Sequence, residues 1–218
     1  MHKVTTIGME ADVLAENRKL AQENLRNLRS HGIGSVDVMG SIGAGKTALI
    51  VRMAKELMSR GMKVATIAGD VTGEDDYTIF KKAGIVSFNL NTGKECHLDA
   101  HLVEHVLEEM DLDSFDFLFV ENVGNLVCPA DFPLGTDHRM VVVSVTEGDD
   151  MINKHPMIFL DSDIAVLNKV DLVKVLDVDV ERLKRDYAKL RRNGKLYQTS
   201  AKTGDGVLDV LKALNVKV

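Results

Sequence analysis

Apolar positions along the chain fall into two patterns. Runs such as Phe117-Leu118-Phe119-Val120 and Met140-Val141-Val142-Val143 are apolar without alternation, as expected of strands covered on both faces of their sheet. Strand signals stand at 35–39, 63–68, 85–90, 115–121, 139–146, 163–168 and 195–199. Between them the sequence predicts helices at 48–59, around 75–82, at 98–110, around 154–160, at 178–192 and at 207–214. Ahead of the first strand, the polar stretch 10–30 sets Leu14, Ala21, Leu25 and Leu28 on one helical face, and His31-Gly32 supplies a stop.

Strand–helix alternation of this kind predicts an α/β fold of three layers, a mostly parallel sheet with helices on both faces. A length of 218 residues is enough for one core, and no repeat, linker or low-complexity segment interrupts it. A net charge of −6 with interspersed signs argues against nucleic acid as a partner, since such proteins carry a basic stripe. No apolar run approaches the ~18 residues of a membrane span, and Met1-His2-Lys3-Val4 begins no signal-peptide core. The expectation is a cytoplasmic protein with no membrane partner. Disulfides are rare there, so Cys96 and Cys128 are read as free thiols or metal ligands.

The most specific motif is Gly40-Ser41-Ile42-Gly43-Ala44-Gly45-Lys46-Thr47, the pattern of a phosphate-binding P-loop. Gly40, Gly43 and Gly45 allow the backbone to curl into a nest of N–H donors, Lys46 brings a positive charge to the β/γ-phosphates, and the Thr47 hydroxyl suits Mg²⁺. A predicted strand before it and a helix after it supply the context, with the helix N-terminus favouring anions. The fold expected is therefore that of P-loop NTPases.

In a parallel sheet the ligand sits beyond the carboxyl ends of the strands. Asp70 and Glu121 stand at such ends and are candidates for Mg²⁺, directly or through water. Asn168-Lys169-Val170-Asp171 follows another strand. A carboxylate at Asp171 can accept from guanine N1–H and the exocyclic amine, which selects GTP over ATP. The Lys169 stem can cover the base, and Ser200-Ala201-Lys202 can offer a backbone N–H to guanine O6. Together the four motifs resemble a G protein. Asn125 follows Gly124 where Ras-like members carry the glutamine that positions water, which predicts slow intrinsic hydrolysis.

A second kind of chemistry sits in Glu95-Cys96-His97-Leu98-Asp99-Ala100-His101-Leu102-Val103-Glu104-His105. On a helix, His97, His101 and His105 would form one row, and a half-exposed flank accounts for His101 and His105. Cys96 and His97 are expected at the helix entrance, where the dipole stabilises a thiolate. Cys128 lies seven residues beyond Glu121. Two cysteines and a histidine suit Zn²⁺ or Ni²⁺ but fall one short of a closed zinc site, so water, His101 or a second subunit would complete it.

The run Asn91-Thr92-Gly93-Lys94-Glu95-Cys96-His97-Leu98-Asp99-Ala100, with Glu121-Asn122-Val123-Gly124-Asn125-Leu126-Val127-Cys128-Pro129 and Thr146-Glu147-Gly148-Asp149-Asp150, resembles HypB. That family comprises the GTPases that assist nickel insertion into nickel–iron hydrogenase, and the likeness runs from about Ser35 onward. It implies GTP/GDP with Mg²⁺ at the P-loop, and Ni²⁺ or Zn²⁺ at Cys96, His97 and Cys128. A GTP-promoted homodimer would bring these ligands to its interface. Lys154 reads as an exposed lysine at the start of a helix, with reach to a partner subunit's nucleotide as the alternative. Expected partners are a second nickel-delivery accessory protein and the hydrogenase large subunit. The chain would then divide into an N-terminal amphipathic helix, 1–34, packed on a GTPase domain, 35–218. Neither an N-terminal cysteine motif nor a histidine-rich tract is present, so nickel storage is not implied. Urease accessory G proteins carry a Cys-Pro-His signature where this chain has Cys128-Pro129-Ala130. A urease-type accessory GTPase is thus a secondary reading, beside a regulatory GTPase with structural cysteines.

Overall fold

The computed structural model describes residues 3–192 and 194–216, with side chains from residue 11 onward. After helix α1 (Lys3–Ser30), strands and helices alternate: β1 (Gly34–Gly40), α2 (Lys46–Ser59), β2 (Val64–Asp70), α3 (Asp75–Lys82), β3 (Val86–Asn91), α4 (Ala100–Glu109) and β4 (Phe117–Glu121). The second half continues with β5 (His138–Ser144), α5 (Met151–Lys154), α6 (Pro156–Leu160), β6 (Ile164–Asn168), α7 (Val173–Leu176), α8 (Val180–Leu190), β7 (Leu196–Gln198) and α9 (Val207–Ala213). The strands form one seven-stranded sheet in the order β3-β2-β4-β1-β5-β6-β7. Every pairing is parallel.

Successive strand residues point to opposite faces, and the core divides accordingly. Val36, Val38, Phe119 and Val142 pack with α2, α3 and α9 on one face. On the other face, Met39, Val141 and Val143 meet α5, α6 and α8, while Ala65, Ile67, Leu118 and Val120 meet α1 and α4. β1 lies between β4 and β5, where the chain turns from building one side of the sheet to building the other. That topological switch point opens a crevice at the carboxyl ends of the strands.

Several boundaries differ from the sequence reading. Asp99 caps α4 by accepting from Leu102 N at 2.8 Å, so the helix begins at Ala100 and leaves Cys96 and His97 in the loop before it. Pro156 divides the segment predicted as one helix at 154–160 into α5 and α6, because proline has no N–H to donate. The inward face of α1 also holds more than leucines. Asn17 and Asn24 are buried beside Ala21 and Leu28. Asn17 accepts from Ala100 N at 2.8 Å, and Asn24 donates to the carbonyls of Ala100 and Leu134 at 2.8 and 3.0 Å. These bonds dock α1 on the start of α4, and buried amides placed this way are satisfied.

Candidate functional site

At the end of β1 the P-loop wraps toward α2. Gly45 has φ +89°, and a Cβ there would come within 2.6 Å of Asn168 Nδ2; only glycine accepts both constraints. Lys46 is buried and its ammonium donates to the carbonyls of Gly40 and Ser41 at 3.4 and 3.2 Å. The Thr47 hydroxyl lies 2.9 Å from Glu121 Oε1 and 2.6 Å from Asp76 Oδ1. These residues, with Gly43, Asp70 and Asp75, line a cavity of about 440 Å³.

Glu121 is the most perturbed member of this acidic group. Burial, with Asp76 and Asp70 beside it, pushes its pKa up to about 8 against the pull of Lys46 and the Thr47 hydroxyl. Its Oε2 is buried without a hydrogen-bond partner. A hydroxyl and crowded carboxylates sharing one cavity wall are the donor set that suits Mg²⁺, whose charge would offset their repulsion. Asp70 lines the same cavity, but its Oδ1 accepts from Val71 N at 2.6 Å. Asp76 makes the contact with Thr47. Sequence reasoning passed it over because the signal, the acidic run Glu74-Asp75-Asp76, begins a helix and not a strand end.

The base-reading motifs meet across the same loop. Asn168 donates through Nδ2 to the Ala44 carbonyl at 3.0 Å, and its Oδ1 accepts from Ala201 N at 3.2 Å and Thr199 Oγ1 at 3.1 Å. One amide thereby joins the P-loop to the Ser200-Ala201-Lys202 turn. Lys169, at φ 61°, donates to Gly43 O at 2.6 Å. Asp171 is exposed and takes the Ser200 hydroxyl at 2.7 Å on Oδ1. Lys202 is exposed. Glu147, absent from the sequence reading as a site residue, approaches this region: burial pushes its pKa up, opposed by the Ser144 N–H, Lys169 and Lys46.

The sulfur and imidazole groups converge from separate loops. Cys96 Sγ lies 3.0 Å from Cys128 Sγ and 3.9 Å from His97 Nδ1. All three ligand atoms fall within 4.8 Å of one another, with Cys96 exposed and the other two half-buried. His97 stacks on Phe132 with ring centroids 4.0 Å apart. Burial lowers its pKa, which favours the neutral imidazole that a metal ligand requires, against the opposing charges of Glu95, Asp99 and Asp131.

Two expectations change here. The thiol of Cys128 beside it, aided by burial, pushes the Cys96 pKa up, so the helix dipole does not govern that thiol; α4 starts four residues later. His97 also leaves the predicted histidine row. His101 and His105 remain a pair on α4, with Nε2 atoms 3.1 Å apart and Nδ1 atoms facing Glu104 and Glu108. Lys154 forms an exposed ion pair with Asp150 at 2.8 Å.

Between the two sites runs the segment after β4. Gly124 packs so closely on the P-loop that a Cβ would meet Ile42 at 2.5 Å. Asn125 N donates to Gly40 O at 3.0 Å, its Nδ2 donates to Cys96 O at 3.2 Å, and its Oδ1 accepts from Val127 N at 2.8 Å. No helix among the described residues is long and apolar enough to cross a membrane.

Residues 35–198 match the family described as CobW/HypB/UreG, nucleotide-binding domain. A probable hydrogenase maturation factor HypB of Methanocaldococcus jannaschii is 45% identical over 218 residues, 100% of this chain and 98% of that protein. The crystal structure of the hydrogenase maturation factor HypB from Archaeoglobus fulgidus is 43% identical, with a TM-score of 0.83 over 92% of this chain and 98% of the other. HypB from Helicobacter pylori, solved in complex with nickel, is 31% identical, with a TM-score of 0.85 over 92% of this chain and 94% of the other. The parallel sheet, the P-loop at its switch point and the Cys/His group thus belong to a member of the CobW/HypB/UreG family, of the HypB hydrogenase maturation factor type.

Proposed function

We propose that this chain is a GTP-binding and GTP-hydrolysing nickel chaperone for nickel–iron hydrogenase, acting in the cytoplasm, in which nucleotide state and dimerisation control a Cys96/His97/Cys128 nickel site. The observation that carries the reading is the segment from Glu121 to Cys128. Its first residue touches Thr47, its middle residue Asn125 bonds the P-loop carbonyl of Gly40 and the carbonyl of Cys96, and its last residue is itself a candidate ligand. A change at the phosphates therefore moves a nickel ligand through covalent and hydrogen-bonded neighbours. The recipient of the nickel would be the hydrogenase large subunit and its donor a second accessory protein, a reading that the resemblance to hydrogenase maturation factors supports.

At the nucleotide, Lys46 would neutralise the β/γ-phosphates, while Asp171, beside the Ser200-Ala201-Lys202 turn, would read guanine. Thr47, Glu121 and Asp76, with Asp70 on the same wall, would hold Mg²⁺, which supplies charge stabilisation to the transferring phosphoryl group. Asn125 spends its carboxamide on Cys96 and Val127, so it is not free to orient water, in keeping with slow intrinsic turnover. Nickel, or zinc in its place, is cargo at the thiols. Three ligands leave the site open, and dimer formation would bring the rest from a second subunit. A regulatory GTPase with structural cysteines fits less well, because structural thiols are buried and Cys96 is exposed. The test is nickel affinity and molecular mass measured with GDP and with a non-hydrolysable GTP analogue. Tighter or weaker nickel binding together with a dimer in one state is expected; equal affinities and one mass in both states would defeat the switch.

A further inference from the structure

Asp37 occupies the middle of β1, the central strand, and is fully buried. Burial pushes its carboxyl up to about 6, against the pull of Arg139 and Asn122. A buried carboxylate is costly, and an apolar residue of similar size would pack a sheet at least as well. Its two oxygens face different partners. Oδ1 accepts from Asn122 Nδ2 at 3.1 Å, and Oδ2 lies 3.6 Å from Arg139 Nε.

Each partner also bonds one of the loops that carry candidate nickel ligands, beside contacts of Arg139 with Asp161 O and Met39 Sδ and of Asn122 Oδ1 with Val123 N. Asn122 Oδ1 accepts from Leu98 N at 3.1 Å, one residue beyond His97. The Arg139 guanidinium donates to the carbonyls of Pro129 and Ala130, the latter at 3.1 Å, immediately after Cys128. The first loop is irregular from the end of β3 to the cap of α4, and the second has only a short 3-10 turn, 128–130. Neither can set the Cys96 to Cys128 distance by its own backbone ladder. Both are tied to the same carboxylate.

We propose that Asp37, Asn122 and Arg139 form a buried frame that positions the Cys96–His97 loop and the Cys128 turn against each other, so that their ligands meet. The frame rests on the reading of Cys96, His97 and Cys128 as the nickel group, and its residues are positioning residues that do not touch the metal. The planar fork of Arg139 serves two carbonyls on one turn and faces Asp37, a geometry that a lysine point charge cannot reproduce. Asn122 also lines the P-loop cavity, whereas Asp37 and Arg139 are not part of its lining, so substitutions at those two residues test the thiol geometry apart from the phosphates.

The experiment uses the full chain in its GDP state with Arg139→Lys, which keeps the charge, and with the double variant Asp37→Leu/Arg139→Leu, which removes both buried charges and so preserves folding if the lysine variant fails. Nickel is titrated by its thiolate-to-metal charge-transfer absorption. Expected is an affinity loss of about 10- to 100-fold, the range for losing an outer-shell partner, with altered charge-transfer bands and unchanged GDP affinity. A merely structural role would lower the melting temperature and leave the bands and the nickel affinity intact, and that result overturns the frame. A metal-free readout separates the frame from the nickel reading: diamide takes two electrons and two protons from the paired thiols as they form a disulfide. That rate should fall about tenfold or more in both variants, since misplacing reacting groups by about 1 Å is enough for such a loss. If the unsubstituted protein binds no nickel through its cysteines while the variants pair their thiols slowly, the nickel reading fails and the frame stands. Unchanged pairing rates in the variants overturn it.

Discussion

Around the P-loop, residues from four strand ends are locked by short bonds that run directly between motifs: Asn168 to Ala44 and Ala201, Lys169 to Gly43, Thr47 to Glu121. Cys96, His97 and Cys128 come instead from irregular segments, and what holds them is borrowed from elsewhere, from Asn125, Asn122 and Arg139. The nucleotide end is built to keep one shape, since its donors must already point at the phosphates when they arrive. The thiol end is held by side chains that also belong to other parts of the molecule. A site assembled that way moves when its holders move, which suits the proposed nickel cargo.

The comparison breaks most severely at the base. Asp171→Asn should lower GTP over ATP discrimination by about 10⁴-fold, the scale on which a site built for a hydrogen-bonding substrate rejects its analogue. Competition binding with both nucleotides measures it, and retained discrimination would show that guanine is read elsewhere. Nickel affinity in the GDP state should stay as it was. The reciprocal change, Cys128→Ala, should weaken nickel by more than the roughly 100-fold that an outer-shell loss costs, with GTP affinity unchanged in metal-free protein. Isothermal titration of each ligand on each variant is the check. A nickel effect of Asp171→Asn at constant nucleotide occupancy would mean that the two ends are not separable.

The same asymmetry decided what the sequence revealed. The P-loop, Asn168-Lys169-Val170-Asp171 and Ser200-Ala201-Lys202 are legible as motifs because each is a run of consecutive residues, and consecutive residues survive any error in element boundaries. The inner strands are legible because both their faces are buried, so apolar runs such as 117–120 and 140–143 mark them directly. Asp76 was missed because its partner Thr47 lies 29 positions away and nothing local marks the contact. Asn17 and Asn24 were missed for a related reason: polar residues on a helix read as its wet face, and only the backbone groups of Ala100 and Leu134, distant in sequence, satisfy them. The three-membered histidine row failed at one residue, Asp99, whose cap sets where α4 begins.

A buried charge beneath the thiol end, with no counterpart beneath the base-reading end, should also appear in the pH dependence of stability. Asp37 is raised from 3.8 to about 6, so between those values the folded chain binds more protons than the unfolded chain. Its contribution is fully present below about pH 4 and is lost as pH rises through about 6. The loss amounts to about 3 kcal/mol for a shift of this size. Asp37→Asn should remove that slope. Glu121 adds a slope of its own that extends to about 8, so the difference between variant and parent in urea unfolding from pH 4 to 7 isolates Asp37. Parallel curves would show that the carboxyl is no more perturbed in the folded chain than in the unfolded one.

The smallest effect concerns a residue that bonds both ends. Asn125 bonds the P-loop through its backbone and the Cys96 loop through its carboxamide, so Asn125→Ala removes the side-chain link and keeps the backbone one. If the carboxamide carries the signal, the change in nickel affinity between GDP and a GTP analogue should fall from the usual 5- to 150-fold range of coupled sites, about 1–3 kcal/mol, toward unity. Linkage makes the test double-sided: nickel must alter the affinity for the analogue by the same factor, and both factors must fall together. Neither binding constant alone needs to change much, because Lys46, Thr47 and the thiols are all retained. Persistence of the full coupling would place the signal in the covalent path from Glu121 to Cys128. In that case Asn125 would serve the thiol end as a holder, like Asn122 and Arg139, and the contrast between a rigid nucleotide end and a held thiol end would stand without a signal carried by its carboxamide.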